Sequence, residues 1–194
     1  MRYYHNNSIL RNAIVLLALL LDSGTTMAQT IGGSIYGGGK GTSAVVTGAV
    51  TVQVDTGNIT KDVYGGGDRA WYGGTPQVNI VNGTVYGNVY GGGNNITVDN
   101  KGVGGSDVRV SGGQVNGNVY GGCNTKGTVV DASAVTLTGG IVKGSVFGGG
   151  KGANTVVTGQ AVVHISGTDT QVETDVYGGG DEGVVNGGTE VKVF

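Results

Sequence analysis

The hexapeptide VYGGGD occupies residues 63–68 and returns letter for letter at residues 176–181. Four near copies complete the series: IYGGGK from Ile35, VYGGGN from Val89, VYGGCN from Val119 and VFGGGK from Val146. The aromatic residues of the six copies lie 28, 26, 30, 27 and 30 positions apart: Tyr36, Tyr64, Tyr90, Tyr120, Phe147 and Tyr177. Repetition at such a period is typical of proteins built from stacked units, each of which packs against its neighbours.

Each repeat contains three short apolar stretches. The first has two apolar residues two apart, as in Val52 and Val54, and the second has two apolar residues four apart, as in Ile59 and Val63. Even spacings place these residues on one face of a strand. The third stretch is short: Val45–Val46, Trp71–Tyr72, Ile96 to Val98, Val129–Val130, Val156–Val157 and Val184–Val185. Three short strands per repeat predict an all-β fold, a parallel β-helix (β-solenoid) with about six coils of 26–30 residues.

Glycine supplies 43 of the 194 residues. Glycine in a strand or helix costs roughly 0.5–1 kcal/mol relative to alanine, so it is retained where the backbone needs positive φ or a very close approach. Three small residues after every aromatic residue therefore predict a tight corner at which a side chain would collide with the next coil. Cys123 takes the third small position of its repeat, and we interpret it as a small residue in a small space.

Equivalent residues of successive coils are predicted to lie in columns along the stack. The six aromatic residues are expected to form a structural ladder, with a ligand platform as the alternative, and the sequence leaves open whether the rings face inward or outward. The position after the glycines is expected to form a polar ladder in which Lys40 pairs with Asp68, Lys151 pairs with Asp181, and the two amides pair with each other. Its members are Lys40, Asp68, Asn94, Asn124, Lys151 and Asp181.

Acidic residues recur in two of the repeats, where Asp62 accompanies Asp68 and Asp175 accompanies Asp181. Carboxylate oxygens are ligands for Ca²⁺, which takes six to eight of them, so these four residues are metal candidates. The glycine-rich calcium repeat is absent from the sequence. A solvated charge ladder is the preferred interpretation, and we expect no metal and no cofactor.

The N-terminal segment differs from the repeats. Residues 1–11 contain the basic residues Arg2 and Arg11. The apolar run AIVLLALLL follows from Ala13, and after it comes a small-x-small cleavage site that ends at Ala28. This order is typical of a secretory signal peptide, predicted here as residues 1–28, with the β-solenoid domain over residues 29–194. The mature protein is therefore expected to be secreted or to lie on the outer cell surface.

Composition argues against several functions. The formal net charge of −2 and the lack of a basic run disfavour nucleic acid as a partner. The single cysteine precludes an internal disulfide, and His164 lies between two strand residues with no evident nucleophile in its motif. We therefore predict a protein that is not an enzyme and has no catalytic residues. A carbohydrate-active β-helix enzyme remains an alternative, which would need clustered acids on one face.

Binding is expected on the arc that varies most in length between repeats. Its richest version is residues 68–77, DRAWYGGTPQ, where Arg69, Trp71 and Tyr72 are the ligand-binding candidates. Aromatic side chains beside charged ones suit contact with a sugar or a protein. The alternative is that Trp71 and Tyr72 only replace a Val–Val pair and pack inside.

The repeats of residues 31–194 resemble the secreted, glycine-rich β-strand-repeat surface proteins of Bacteroidota, in which VYGGG-type units recur in tandem. The resemblance implies an adhesin-like or structural role, with a host or bacterial surface glycan or protein as the partner. It also implies an anchoring or secretion module, which is expected outside this chain. That module would be the only part of the protein that contacts a membrane. Self-assembly into fibres through uncapped coil ends is the alternative function.

Overall fold

The computed structural model describes residues 28–97 and 102–194, so the predicted signal peptide lies outside the described residues except for Ala28. The described chain consists of strands and turns. None of its residues belongs to a helix long and apolar enough to span a bilayer. The strands wind into about six turns with parallel pairing throughout, which confirms the predicted all-β solenoid.

Twenty strands lie within residues 28–97 and 102–194. Most of them have two to five residues, because every turn of the solenoid must change direction three times. They are β1 Thr30–Ile31, β2 Ile35–Tyr36, β3 Thr51–Val54, β4 Asn58–Ile59, β5 Val63–Tyr64, β6 Gln77–Ile80, β7 Thr84–Val85, β8 Val89–Tyr90, β9 Gly102–Val103, β10 Ser106–Val115, β11 Val119–Tyr120, β12 Lys126–Val129, β13 Ser133–Val142, β14 Val146–Phe147, β15 Asn154–Val157, β16 Ala161–Ile165, β17 Thr170–Val172, β18 Val176–Tyr177, β19 Val184–Val185 and β20 Thr189–Val193.

Three parallel sheets form the sides. Sheet 1 contains ten strands (β1, β3, β4, β6, β7, β10, β13, β16, β17 and β20), sheet 2 stacks β2, β5, β8, β11, β14 and β18, and sheet 3 stacks β9, β12, β15 and β19. We number the turns 1 to 6 by the aromatic residue each contains, from Tyr36 to Tyr177. Each turn runs from sheet 1 to sheet 2, then along the third side, which sheet 3 forms in turns 3 to 6, and back to sheet 1. Equivalent residues pair in register from turn to turn, as Val63 pairs with Val89.

The main core lies between sheets 1 and 2. Its columns are almost entirely valine, isoleucine and leucine, and internal members such as Val78, Val108 and Val135 are fully buried. Branched side chains suit this position, because they pack on the pleated surface against the same residue one strand away. A second cluster, behind sheet 3, contains Val103, Val129 and Val157 together with Tyr72 and Cys123.

Two details of the predicted strands are wrong. Ile59 and Val63 both join the main core, but they lie in different sheets, because the chain turns between β4 and β5. The third stretch is also shifted in two turns: Gly102–Val103 takes the place expected for Ile96 to Val98, and Val129 is the last residue of β12, so that Val130 points away. Ile96 is still buried in the second cluster, and Val98 lies outside the described residues.

The glycine corner owes its composition to close approach. A Cβ atom on Gly65 would lie 2.3 Å from the carbonyl oxygen of Gly91, and one on Gly66 would lie 2.8 Å from the nitrogen of Gly93. The triple glycines do not have positive φ. That conformation occurs at the residue after the polar ladder: Gly41 at +89°, Arg69 at +60°, Asn95 at +46°, Thr125 at +58°, Gly152 at +86° and Glu182 at +62°.

Candidate functional site

The aromatic residues form one continuous stack along sheet 2. Successive ring centroids are 4.7–4.9 Å apart, and the planes of neighbouring rings differ by 2–10°. The rings form a cluster separate from the main core that Val63 and its equivalents fill, as expected for adjacent residues of a strand. Yet Tyr90 is only 1% exposed and Tyr120 is fully buried, whereas Tyr177 at the end of the stack is 46% exposed. Within the stack, ring faces are therefore covered by other rings.

The tyrosine hydroxyls are hydrogen-bonded to two polar columns, one that precedes the strands of sheet 2 and one that follows the glycines. Tyr64 donates to Asp62, two residues earlier, at 3.0 Å and accepts from the Asn124 amide at 3.1 Å. Tyr120 accepts from the Asn118 amide at 2.9 Å and donates to Asp181 at 3.1 Å. Burial raises the pKa of Tyr120 to about 12, and burial with the nearby Asp62 carboxylate raises the pKa of Tyr64 still further above its usual range. These rings and their partners thus brace turns that are two apart.

A second polar column precedes the strands of sheet 2, and its role was missed from the sequence. Each side-chain oxygen in this column accepts the backbone N–H of its equivalent one turn later: Asp62 from Asn88 at 2.7 Å, Asn88 from Asn118 at 2.8 Å and Asn118 from Ser145 at 2.8 Å. The restriction of this position to Ser, Asp and Asn was the available signal, because only a short side chain with an oxygen can make this bond.

The polar ladder after the glycines forms through its backbone. Lys40 pairs with Asp68, and Lys151 with Asp181, as isolated parallel bridges. The predicted neighbours are therefore correct, but their charged groups do not form ion pairs: in the described ranges, ion pairs join Arg109 to Asp107 and Glu190 to His164 and Lys192. Amide and carboxylate groups bond along the ladder instead, from Asn124 to Asn94 and from Asn94 to Asp68, each at 3.2 Å. A solvated lysine gains little from pairing, which is the physical reason.

The four aspartates considered for calcium are bonded to protein donors. Asp62 and Asp175 accept from Tyr64 and Tyr177, Asp68 accepts from Asn94, and Asp181 accepts from Tyr120. Among residues 28–97 and 102–194 no three His, Cys, Asp or Glu side chains come together in a way that could hold a metal ion. Asp62 and Asp175 belong to one column, and Asp68 and Asp181 belong to the other. In each column the two aspartates lie in turns 2 and 6.

Cys123 is buried, and burial raises the pKa of its thiol to about 11. The residue that faces this position is also changed in turn 4. A Cβ atom on the third glycine would meet Ala44 in turn 1, Ala70 in turn 2 and the Ile96 side chain in turn 3, but Cys123 of turn 4 faces Gly127, whose φ is +142°. In turn 4 the corner position therefore has the side chain and the facing position has the glycine, which is the reverse of turns 1 to 3.

His164 lies on the outer face of sheet 1. Its Nε2 is 2.9 Å from Glu190, and Lys192 lies 2.7 Å from the same carboxylate oxygen. Thr136 pairs with His164 on one side and Lys192 pairs with it on the other, so the neighbours in this column offer no acid pair across a cleft. The geometry is that of a half-buried cross-strand cluster.

The three ligand-binding candidates separate in the structure. Tyr72 is 7% exposed and packs in the second cluster, as the alternative interpretation proposed. Trp71 is half-buried, and its ring lies along Gly73, where a Cβ atom would be 3.0 Å from Cζ3. Arg69 is exposed and does not line the pocket that Trp71 lines. Trp71 is thus the candidate that combines packing with access.

A pocket of about 190 Å³ opens beside Trp71 on the third side of the solenoid. The column of Trp71 on this side explains the space: Val45 pairs with Trp71 in the turn before, while the turn after has Gly102 at the equivalent place. Asp131 and the 49% exposed Val130 form a further wall. The lining residues are Trp71, Tyr72, Gly73, Gly102, Val103, Gly104, Val130 and Asp131.

Comparison with protein-family models, with curated proteins and with solved structures found no match to this chain.

Proposed function

We propose that this chain is a non-enzymatic, adhesin-like β-solenoid of the cell surface or extracellular space, and that it binds a glycan at the Trp71 pocket. The single observation that carries this proposal is the pocket itself. It brings together the half-buried Trp71, the exposed Asp131 and three glycines on an otherwise regular stack. The export of the chain belongs to the same proposal and rests on the order of charged, apolar and small residues at its N-terminus.

The chemistry of the pocket favours a sugar ring. An aromatic face packs against the C–H face of a pyranose, while a carboxylate and backbone groups accept and donate hydrogen bonds to its hydroxyls. The volume of about 190 Å³ is below the roughly 300–1,000 Å³ of pockets for drug-sized ligands. A single sugar residue, such as the end or a branch of a glycan, fits this size better than an extended chain.

The scaffold suits presentation of such a site. Backbone hydrogen bonds run from turn to turn on both sides of the pocket, from Tyr72 to Gly102 at 2.9 Å and from Val130 to Val103 at 3.0 Å. A site held between paired strands loses little conformational freedom on binding. Because one contact with a single sugar is weak, many copies on a surface would supply the avidity that an adhesin needs.

The test is a glycan panel screened with the wild type and with Trp71→Val. Valine occupies the same column at Val45, Val156 and Val184, so this substitution should preserve the strand. We expect at least a tenfold loss of affinity in the variant. The intrinsic fluorescence of Trp71, the single tryptophan of the chain, should also change when the wild type binds.

Tyr86→Ala is the matched control, because Tyr86 is 54% exposed but does not line the pocket. It should bind like the wild type. Equal binding by Trp71→Val and the wild type would contradict this placement of the site, and a panel without any binder would contradict glycan recognition.

A further inference from the structure

Most aspartates in residues 28–97 and 102–194 use their carboxylates in hydrogen bonds within the protein. Six of the eight accept from a side chain or a backbone N–H: Asp55, Asp62, Asp68, Asp107, Asp175 and Asp181. The carboxylates of Asp131 and Asp169 have no hydrogen-bond or ion-pair partner in this part of the chain. Both residues are exposed, but of the two only Asp131 lines the Trp71 pocket.

The backbone of Asp131 is fixed by the turns on both sides of it. Its N–H donates to the carbonyl oxygen of Gly104 in turn 3, and its carbonyl oxygen accepts the N–H of Gly159 in turn 5 at 3.0 Å. The carboxylate is therefore the part of this residue that is available to a ligand. Because two paired turns hold the backbone, little backbone freedom would be lost when a ligand binds.

Trp71 and Asp131 belong to turns on opposite sides of turn 3. Tyr72 pairs with Val103, and Val103 pairs with Val129, so turn 3 separates the two residues. Two strand spacings of ~4.8 Å place their backbones roughly 10 Å apart along the stack. A ligand that contacts both side chains therefore needs to be about as wide as one ring with its substituents.

The lining of the pocket carries charge of one sign. Asp131 is the one charged residue among the described residues that line it. Arg69 and Lys126 precede Trp71 and Thr128 by two positions each, and neither lines the pocket. An anionic sugar would meet a carboxylate with no cation in the lining to compensate, which disfavours it. An ammonium group would instead gain a charge-assisted hydrogen bond.

We propose that the Trp71 pocket selects an amino sugar with a free ammonium group, and that Asp131 is the residue that determines this specificity. The inference rests on the glycan binding proposed above and names the class of sugar. The ammonium group binds the Asp131 carboxylate, and the sugar ring packs against Trp71. A tryptophan ring also attracts a cation, so both residues favour the same charge. N-acetylation of the amine removes that charge, and a uronic acid reverses it.

The size of the preference follows from the exposure of Asp131. An exposed ion pair and an exposed contact between a cation and an aromatic ring together correspond to a preference of roughly three- to thirtyfold over a neutral sugar. Salt screens charges at an exposed site, so the preference should decrease as the ionic strength rises.

The experiment titrates the full chain by NMR at low salt, at a pH where the amine is protonated. The ligands are the methyl glycosides of glucosamine, N-acetylglucosamine, glucose and glucuronic acid, with the galacto series in parallel. The wild type should bind the amino glycoside tighter than the neutral ones by roughly threefold or more, and the uronic acid most weakly. Asp131→Asn keeps the size of the side chain and removes its charge, so it should lose this preference and bind neutral glycosides like the wild type.

Asp169→Asn is the matched control, because it removes the same charge from the other aspartate without a partner, outside the pocket. It should keep the preference of the wild type. Equal affinity of the wild type for amino and neutral glycosides would overturn this inference and leave glycan binding at Trp71 in place, whereas no binding of any glycoside would overturn both. A preference that persists in Asp131→Asn would contradict the role of Asp131. Binding of N-acetyl-lysine amide as tight as that of the amino glycoside would show that the pocket takes a lysine side chain, and would also overturn the inference.

Discussion

The middle glycine of the corner can be replaced by alanine in turn 5 or, separately, in turn 6. Comparison of these two single variants is the sharpest test of why the corner consists of glycine. In Gly149→Ala the new methyl group would lie 2.8 Å from the nitrogen and 2.9 Å from the Cα atom of Gly180. Relief to an ordinary contact near 3.4 Å requires the turns to separate locally by about 0.6 Å. The hydrogen bonds from Gly148 to Tyr177 and from Gly149 to Gly179, both 2.9 Å, would lengthen to about 3.5 Å, the limit for such bonds.

Weakening these two bonds, each worth about 1 kcal/mol, together with the overpacking predicts a loss of about 1–3 kcal/mol of unfolding free energy. Gly179→Ala places the same methyl group in open space, at a φ outside the left-handed region, and should stabilise by about 0.4–1 kcal/mol. Urea unfolding followed by circular dichroism at low protein concentration should therefore separate the two midpoints by roughly 1 M, for a slope of about 2 kcal/mol per M. Equal midpoints for the two variants would refute the argument that close approach dictates these glycines.

Three further predictions concern buried polar groups. The Cys123 thiol, buried and with a pKa raised to about 11, should resist an aromatic disulfide reagent at pH 8 in the folded protein and react fully in urea; rapid labelling without denaturant would show an accessible thiol. Because burial raises the pKa of Tyr120 to about 12, the folded state keeps its proton longer than the unfolded chain, so the contribution of Tyr120 to stability should be constant below about pH 10 and fall between about pH 10 and 12; a urea midpoint that does not fall over this range would contradict this. Asn88→Ala removes the oxygen that accepts the Asn118 N–H and should cost about 1–3 kcal/mol in urea unfolding, whereas the exposed Asn186→Ala should cost little; equal effects would show that the column does not stabilise the stack.

The aromatic stack shows how far alternation along a strand predicts burial. Adjacent residues such as Val63 and Tyr64 belong to separate clusters, as a strand requires. An outward residue is ordinarily exposed, yet Tyr64 is only 2% exposed. Its cover comes from rings one turn away and from Asn124 two turns away, and those contacts depend on where other turns place their side chains.

The Trp71 pocket illustrates the same limit for the candidate site. Residue type and arc length singled out Arg69, Trp71 and Tyr72 together, but the fold buries Tyr72, exposes Arg69 and leaves Trp71 at the edge of a space. That space exists because Gly102 lies next to Trp71 in the following turn. A pairing between residues 31 apart, in turns with arcs of unequal length, is not visible in either segment alone.

The period, the parallel stacking, the six turns and the identity of the columns can all be predicted from the amino-acid order, because a residue that repeats every 26–30 positions must meet its own equivalent one strand away. The folded structure is needed to show where the chain turns between Ile59 and Val63, which residues adopt positive φ and which side chains share the second cluster. These features depend on the direction in which each short strand leaves its corner. That direction is set by contacts with the turns above and below rather than by the local run of residues.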